Sequence, residues 1–241
     1  MSLLSVRRLT RHFDGLAAVH DLSFEVEERE IVGLIGPNGA GKTTTFNLIT
    51  GFITPTAGEV IFDGHPLKNL KPHQICKLGL ARTFQITQSF PNITTLENVL
   101  IGAYVRYPST AAAERKARQV MEQIGLAHKA NELTRNLTLI ELKRLEIGKA
   151  LATEPKMLLL DEVAAGLNLV EIDQVLRLVL ELNSQGVTFL VVEHVMEVIM
   201  NLSHRIIVLD FGQKIAEGTP DQISRDPRVL EAYLGEEETG A

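Results

Sequence analysis

One cysteine, Cys76, stands alone in 241 residues. A single thiol closes no internal disulfide and offers no thiolate cluster, so an oxidised framework and a metal-thiolate site are both excluded and the chain reads as cytosolic. Excess basic charge is lacking too: 24 Lys and Arg against 30 Asp and Glu give a net charge of −6. Duplex DNA and anionic membrane surfaces select a basic face. Arg7, Arg8 and Arg11 make only a local cluster, and no nucleic-acid partner is expected. No stretch supplies the roughly 18 uncharged apolar residues of a bilayer span, because the most apolar segments are cut by Asp161, Glu162, Glu193 or Asp210. At the N-terminus the arginines follow a very short apolar stretch, the reverse of a secretory signal, and no export is expected. Internal repeats and low-complexity tracts are absent.

What remains is a chain long enough to bury roughly 70% of its unfolded surface, with a clear alternation of periods. Between Glu30 and Gly51 the apolar run Ile31-Val32-Gly33-Leu34-Ile35 gives way to a Gly-rich turn and then a helix-like stretch, which predicts strand, loop and helix. Apolar runs at 157–160 and 187–192 read as strands covered on both faces of a parallel sheet. Residues 1–30 and 57–66 instead alternate apolar and polar, as half-exposed antiparallel strands do. No strand pattern appears from Gln85 to about Ala152, where 111–124 and 142–151 read as helices. Thr219-Pro220 and Asp226-Pro227 each open a C-terminal helix. The expected organisation is one α/β domain: an antiparallel part (1–30 and 57–66), a mainly parallel core (31–84 and 153–220), a helical insert (85–152) and a helical tail (221–241).

The chemistry starts at Gly36-Pro37-Asn38-Gly39-Ala40-Gly41-Lys42-Thr43, which matches G-x-x-x-x-G-K-[ST] between a strand and a helix. The fold class is therefore α/β with a P-loop NTPase (RecA-like) core. Glycines let backbone N–H groups turn inward around phosphate oxygens, where a side chain at Gly39 or Gly41 is expected to collide. The following helix, Thr44 included, points its positive end at the same phosphates. Lys42 is expected to reach the β- and γ-phosphates of ATP as a mobile point charge, with the Thr43 hydroxyl in the magnesium shell.

Met157-Leu158-Leu159-Leu160-Asp161-Glu162 places two carboxylates at the carboxyl edge of a buried strand, where α/β sheets bind ligands. Asp161 is expected to hold Mg2+, directly or through water, and Glu162 to act as general base. His194 follows the apolar strand Thr188–Val192 and is expected at the γ-phosphate. Gln85 lies where the sheet pattern yields to the helical insert, so it is placed to couple nucleotide state to that insert.

Together these residues resemble the nucleotide-binding subunit of an ATP-binding cassette transporter over nearly the whole chain. The order phosphate loop, glutamine, helical insert, apolar-Asp-Glu and histidine carries the resemblance. Ala81–Gln85, Thr94–Val99, Lys143–Glu162 and Ala216–Glu236 are similar to the branch serving uptake of branched-chain and other hydrophobic amino acids. The resemblance implies that Gln85 joins Thr43 and Asp161 at Mg2+, that Phe13 stacks on adenine and that Asn168 stands in the inter-subunit loop, where Asp is usual. From the residues alone, Phe13 reads equally as a core side chain. Implied partners are integral-membrane permease subunits, a solute-binding protein acting indirectly, and a second ATPase subunit. The implied location is cytoplasmic, peripheral on the inner face of the plasma membrane. Leu137-Thr138-Leu139-Ile140-Glu141 aligns with the family's LSGGQ signature with both glycines gone. Leu139 and Ile140 add bulk, Glu141 adds charge near phosphate, and Thr-x-x-Glu remains as a capping box. A heterodimer with an intact-signature partner is expected over a homodimer. The alternative is a regulatory subunit that binds ATP and turns it over poorly.

Overall fold

The computed structural model describes residues 2–84 and 89–239. They divide into two compact units, one of residues up to 75 and from 188 onward, the other of residues 76–187.

The first unit opens with β1 (Ser2–Phe13) and β2 (Leu16–Glu27), long antiparallel strands; in β2 Leu22, Phe24 and Val26 are buried at every second position, whereas β1 buries Leu3 to Val6 consecutively. Strand β3 (Ile31–Ile35) is buried at every residue and feeds the loop that precedes α1 (Lys42–Ile49). Then come β4 (Ala57–Phe62), antiparallel to β1, and the short β5 (His65–Pro66). One small sheet therefore runs β2-β1-β4-β5, as the alternating pattern of 1–30 and 57–66 predicts. A helix at Pro72–Leu78, here α2, leads out of this unit.

The second unit holds β6 (Leu80–Arg82), then α3 (Thr95–Ala103), α4 (Thr110–Gln123), α5 (Leu139–Leu151), β7 (Met157–Asp161) and α6 (Leu169–Ser184). Strands β6 and β7 are parallel, with Arg82 opposite Leu159. In α4 the buried residues Ala113, Ala117, Val120 and Met121 fall at i, i+4, i+7 and i+8, the stripe that lets one helix face pack while the other stays wet. The sequence reading did not pick out α3. Its start is set by a capping box in which Thr94 and Glu97 satisfy each other's backbone N–H groups, a Thr-x-x-Glu signal present in the sequence.

The chain then returns to the first unit through β8 (Thr188–Val192), α7 (Met196–Leu202), β9 (Arg205–Asp210) and β10 (Gln213–Gly218), ending in α8 (Pro220–Ile223) and α9 (Pro227–Thr239). Strand β3 lies between β8 and β9 and parallel to both, while β10 folds back antiparallel on β9. Phe46, Phe189, Ile31, Leu34 and Ile35 are among the fully buried side chains of this unit, each contributing roughly 1.5–3 kcal/mol by leaving water. That packed strand is the rigid base on which the Gly-rich loop stands.

Candidate nucleotide site

The loop leaves β3 at Gly36 and enters α1 through Gly41, whose φ of 98° is left-handed. A Cβ at Gly41 would meet the Ala18 carbonyl oxygen at 2.4 Å, and one at Gly36 would meet the Leu209 carbonyl oxygen at 2.0 Å. Gly39 is held by its backbone conformation. Nothing lies within 4 Å of its virtual Cβ, so the chain itself sets no steric limit there, and the requirement is the φ of 79°. Lys42 is engaged by the loop's own backbone. It is 6% exposed, and its ammonium donates to the carbonyls of Gly36 at 2.6 Å and Pro37 at 2.8 Å. The cation is thus fixed inside the loop. Pro37 and Ala40 are buried, Asn38 and Gly39 exposed, Thr43 exposed and Thr44 half-buried. A backbone bond from Gly212 N–H to the Ala40 carbonyl, 3.1 Å, ties the loop to the β9–β10 turn.

In the second unit β7 ends at Asp161, 4% exposed, followed by Glu162, 9% exposed. Asp161 is gripped from β6: the Arg82 guanidinium donates to its carboxylate at 3.0 Å, and its own N–H donates to the Thr83 hydroxyl at 3.2 Å. Burial pulls the Arg82 guanidinium below its ordinary range, and the charge and hydrogen bond of Asp161 offset only part of that pull. Glu162 sits at φ 50°, a left-handed conformation that a non-glycine residue holds only when its surroundings enforce it. Its carbonyl accepts from the buried Lys143 ammonium at 2.9 Å. Sequence reasoning missed Arg82 and Lys143. The signal for Arg82 was a charge closing the short strand Leu80-Ala81; Lys143, inside an otherwise helical pattern, gave none. Gln85 lies outside the described residues. A hydroxyl at Thr43 and a carboxylate at Asp161 are hard oxygen donors of the kind magnesium takes in small number beside phosphates and water, so the donor chemistry fits that ion.

Residues 19–165 match the ABC transporter family. The chain belongs to that family. Residues 213–239 also match the family described as branched-chain amino acid ATP-binding cassette transporter. The high-affinity branched-chain amino acid transport ATP-binding protein BraF of Pseudomonas aeruginosa is 40% identical, over 97% of this chain and 98% of its own. LivG of Escherichia coli, with the same description, is 41% identical over the same shares. Among solved structures, a nucleotide-free ATP-binding cassette from an ABC transporter is 32% identical, with a TM-score of 0.89, over 97% of this chain and 99% of its own. The P-loop NTPase architecture expected from the loop is thus that of an ABC cassette.

In this ABC cassette the altered signature begins a helix earlier than its sequence suggests. Helix α5 starts at Leu139 rather than at Leu142, because Glu141 accepts the Thr138 N–H at 2.8 Å and closes a capping box. Glu141 is also paired with Lys129 at 3.3 Å. Burial raises its carboxyl, but the bonds to Thr138 and Lys129 outweigh that and hold it below the usual range. Its charge is engaged inside the unit instead of standing free toward phosphate. Thr138 and Leu139 are exposed, Ile140 half-buried and Leu137 buried. The side chain of Leu139 fills the space beside Gly166, 2.9 Å from where a Cβ would stand. Asn168 caps α6, its Oδ1 accepting from the N–H groups of Val170 at 3.0 Å and Glu171 at 3.1 Å. Asp could make the same cap, which accounts for the exchange. Phe13 is 41% exposed, so the core alternative is wrong; the Arg11 guanidinium lies 4.6 Å from its ring centre. His194 is exposed just past β8, beside the buried Glu193. Among the described residues no helix is long and apolar enough to cross a membrane.

Proposed function

We propose that this chain is the ATP-hydrolysing subunit of an importer for branched-chain or other hydrophobic amino acids, attached from the cytoplasmic side to separate permease subunits. The match of residues 213–239 to the branched-chain family is what carries the substrate class. Residues Gly36–Thr44 cradle the phosphates with Lys42 as their cation, and Phe13 stacks on adenine. Thr43, Gln85 and Asp161 would hold Mg2+, which when bound would supply positive charge beside the phosphates. Glu162 takes the proton of the attacking water, and His194 contacts the γ-phosphate. Segment 137–141 acts on nucleotide bound by a second ATPase subunit, with Asn168 in the inter-subunit loop.

Docking is assigned to the segment ahead of α3. Phe90 is 52% exposed, yet its backbone is fixed on both sides by the fully buried Asn98, which accepts the Phe90 N–H at 2.8 Å and donates to its carbonyl at 3.0 Å. An exposed aromatic on a rigid mount is an anchor rather than packing. Phe90→Asp, whose carboxylate would stand near the Lys149 ammonium that now lies 5.8 Å from the ring, is expected to stay folded and keep ATP affinity within about twofold. The variant should no longer sediment with membranes that contain the permease. Retention on those membranes would count against docking through Phe90.

The signature favours a heterodimer. In a head-to-tail pair each site takes its phosphate loop from one chain and its signature from the other, so the defect at 139–141 falls on the partner's nucleotide. Leu139→Gly, Ile140→Gly and Glu141→Gln combined should raise ATP turnover of the isolated chain at least about tenfold. The same change should lower stability slightly, by less than the roughly 1 kcal/mol per glycine of a helix interior, because 139 and 140 are the first two residues of α5. Glutamine keeps the capping box. If phosphate release by the unmodified chain already equals that of the triple variant, the heterodimer reading falls. If both are slow even beside an intact-signature partner, the regulatory reading takes its place.

A further inference from the structure

Lys143 is an expensive residue to place where it is. Its side chain gives up the rotamer freedom of four methylenes and most of its hydration, being 5% exposed on the second turn of α5. The ammonium donates to the backbone carbonyl of Glu162 at 2.9 Å. That carbonyl belongs to the residue held at φ 50° directly after β7, and the peptide that follows it fixes where the Glu162 side chain leaves the backbone. Left-handed conformations of ordinary residues persist only where neighbours over-determine them. A charged donor on the carbonyl is such a neighbour, because charge-assisted hydrogen bonds are shorter and stronger than neutral ones. The loop beyond is also clasped by α5, through Leu139 against Gly166.

We propose that Lys143 is a positioning residue for hydrolysis: its ammonium, bound to the Glu162 carbonyl, holds that backbone in the left-handed turn from which the Glu162 carboxylate addresses the attacking water. The proposal rests on Glu162 being the general base. Lys143 acts through the Glu162 backbone, so its loss is expected to act on the rate and to leave nucleotide affinity alone.

The test uses the purified full chain in excess over radiolabelled ATP, with single-turnover hydrolysis read as a function of chain concentration. Lys143→Met keeps the stem and removes the donor. It should lower the maximal rate at least tenfold and leave half-saturation within twofold. Lys143→Arg, which restores a charged donor, should recover most of the rate. In a Glu162→Gln background Lys143→Met should add less than a further twofold, because the group it positions has already lost its function. The proposal is overturned by a parent-like rate in Lys143→Met, by an equal loss of affinity, or by full additivity with Glu162→Gln. Should the methionine variant fail to melt cooperatively, Lys143→Gln replaces it under the same thresholds. Parent-like hydrolysis in Glu162→Gln alone would remove the general-base reading and this proposal with it. A slow Glu162→Gln beside an unchanged Lys143→Met removes only the proposal.

Discussion

Glu162→Gln should bind ATP as the parent chain does and hydrolyse it at least about a hundredfold more slowly, the usual reach of one general base. The amide has nearly the shape of the carboxylate, so the left-handed turn at φ 50° survives while the proton acceptor is lost. Lys42→Ala is the counterpart. The Lys42 ammonium donates to Gly36 at 2.6 Å and Pro37 at 2.8 Å, and deleting it removes both the phosphate cation and the two bonds that close the loop. Nucleotide affinity should then fall at least about tenfold, before any chemistry. Titration with labelled ATP, followed by phosphate release, separates the two outcomes. Equal loss of binding in both variants contradicts the division of roles.

Arg82→Met is expected to be the most destabilising single change in the second unit. The Arg82 and Asp161 side chains are 7% and 5% exposed and 3.0 Å apart. Removing one partner of a buried pair leaves a charge facing low dielectric, a loss of about 3–5 kcal/mol. For a chain of this size each kcal/mol moves the melting temperature by roughly 2–4 °C, so a fall of about 6–20 °C is expected in a thermal melt. Replacing both partners, as Arg82→Met with Asp161→Leu, should return more than half of it, since apolar pairs of similar volume often match a buried ion pair. A melting point within about 2 °C of the parent for Arg82→Met alone would show that the remaining contacts of Asp161 suffice.

The buried strands were legible because burial writes itself into composition. Ile31–Ile35 and Met157–Leu160 are apolar without interruption, and strands covered on both faces tolerate little else. The loop was legible for a related reason, since its glycines are needed by the backbone and leave a fixed spacing. Arg82 and Lys143 were not, because each is a charge whose partner is far along the chain: Asp161 is 79 residues from Arg82 and Glu162 is 19 from Lys143. Pairing at that range is a product of topology, which period and composition do not encode. The start of α5 was displaced for a local reason. The apolar periodicity becomes regular only from Leu142, whereas the capping box of Thr138 and Glu141, itself legible in the sequence as the cap of the following helix, starts that helix at Leu139.

The glycine at the head of the phosphate loop faces a carbonyl oxygen of β9, that of Leu209, and Gly41 faces that of Ala18. Both constraints join a side-chain position to a main-chain atom, so they are asymmetric under substitution. Almost any residue placed at 18 or 209 still presents the same oxygen, whereas no residue but glycine leaves room at 36 or 41. Among diverging cassettes this contact is therefore expected to produce no paired changes. One end should stay fixed while the other drifts, so correlated variation, which reports contacts between two side chains, would be blind to these approaches that shape the loop.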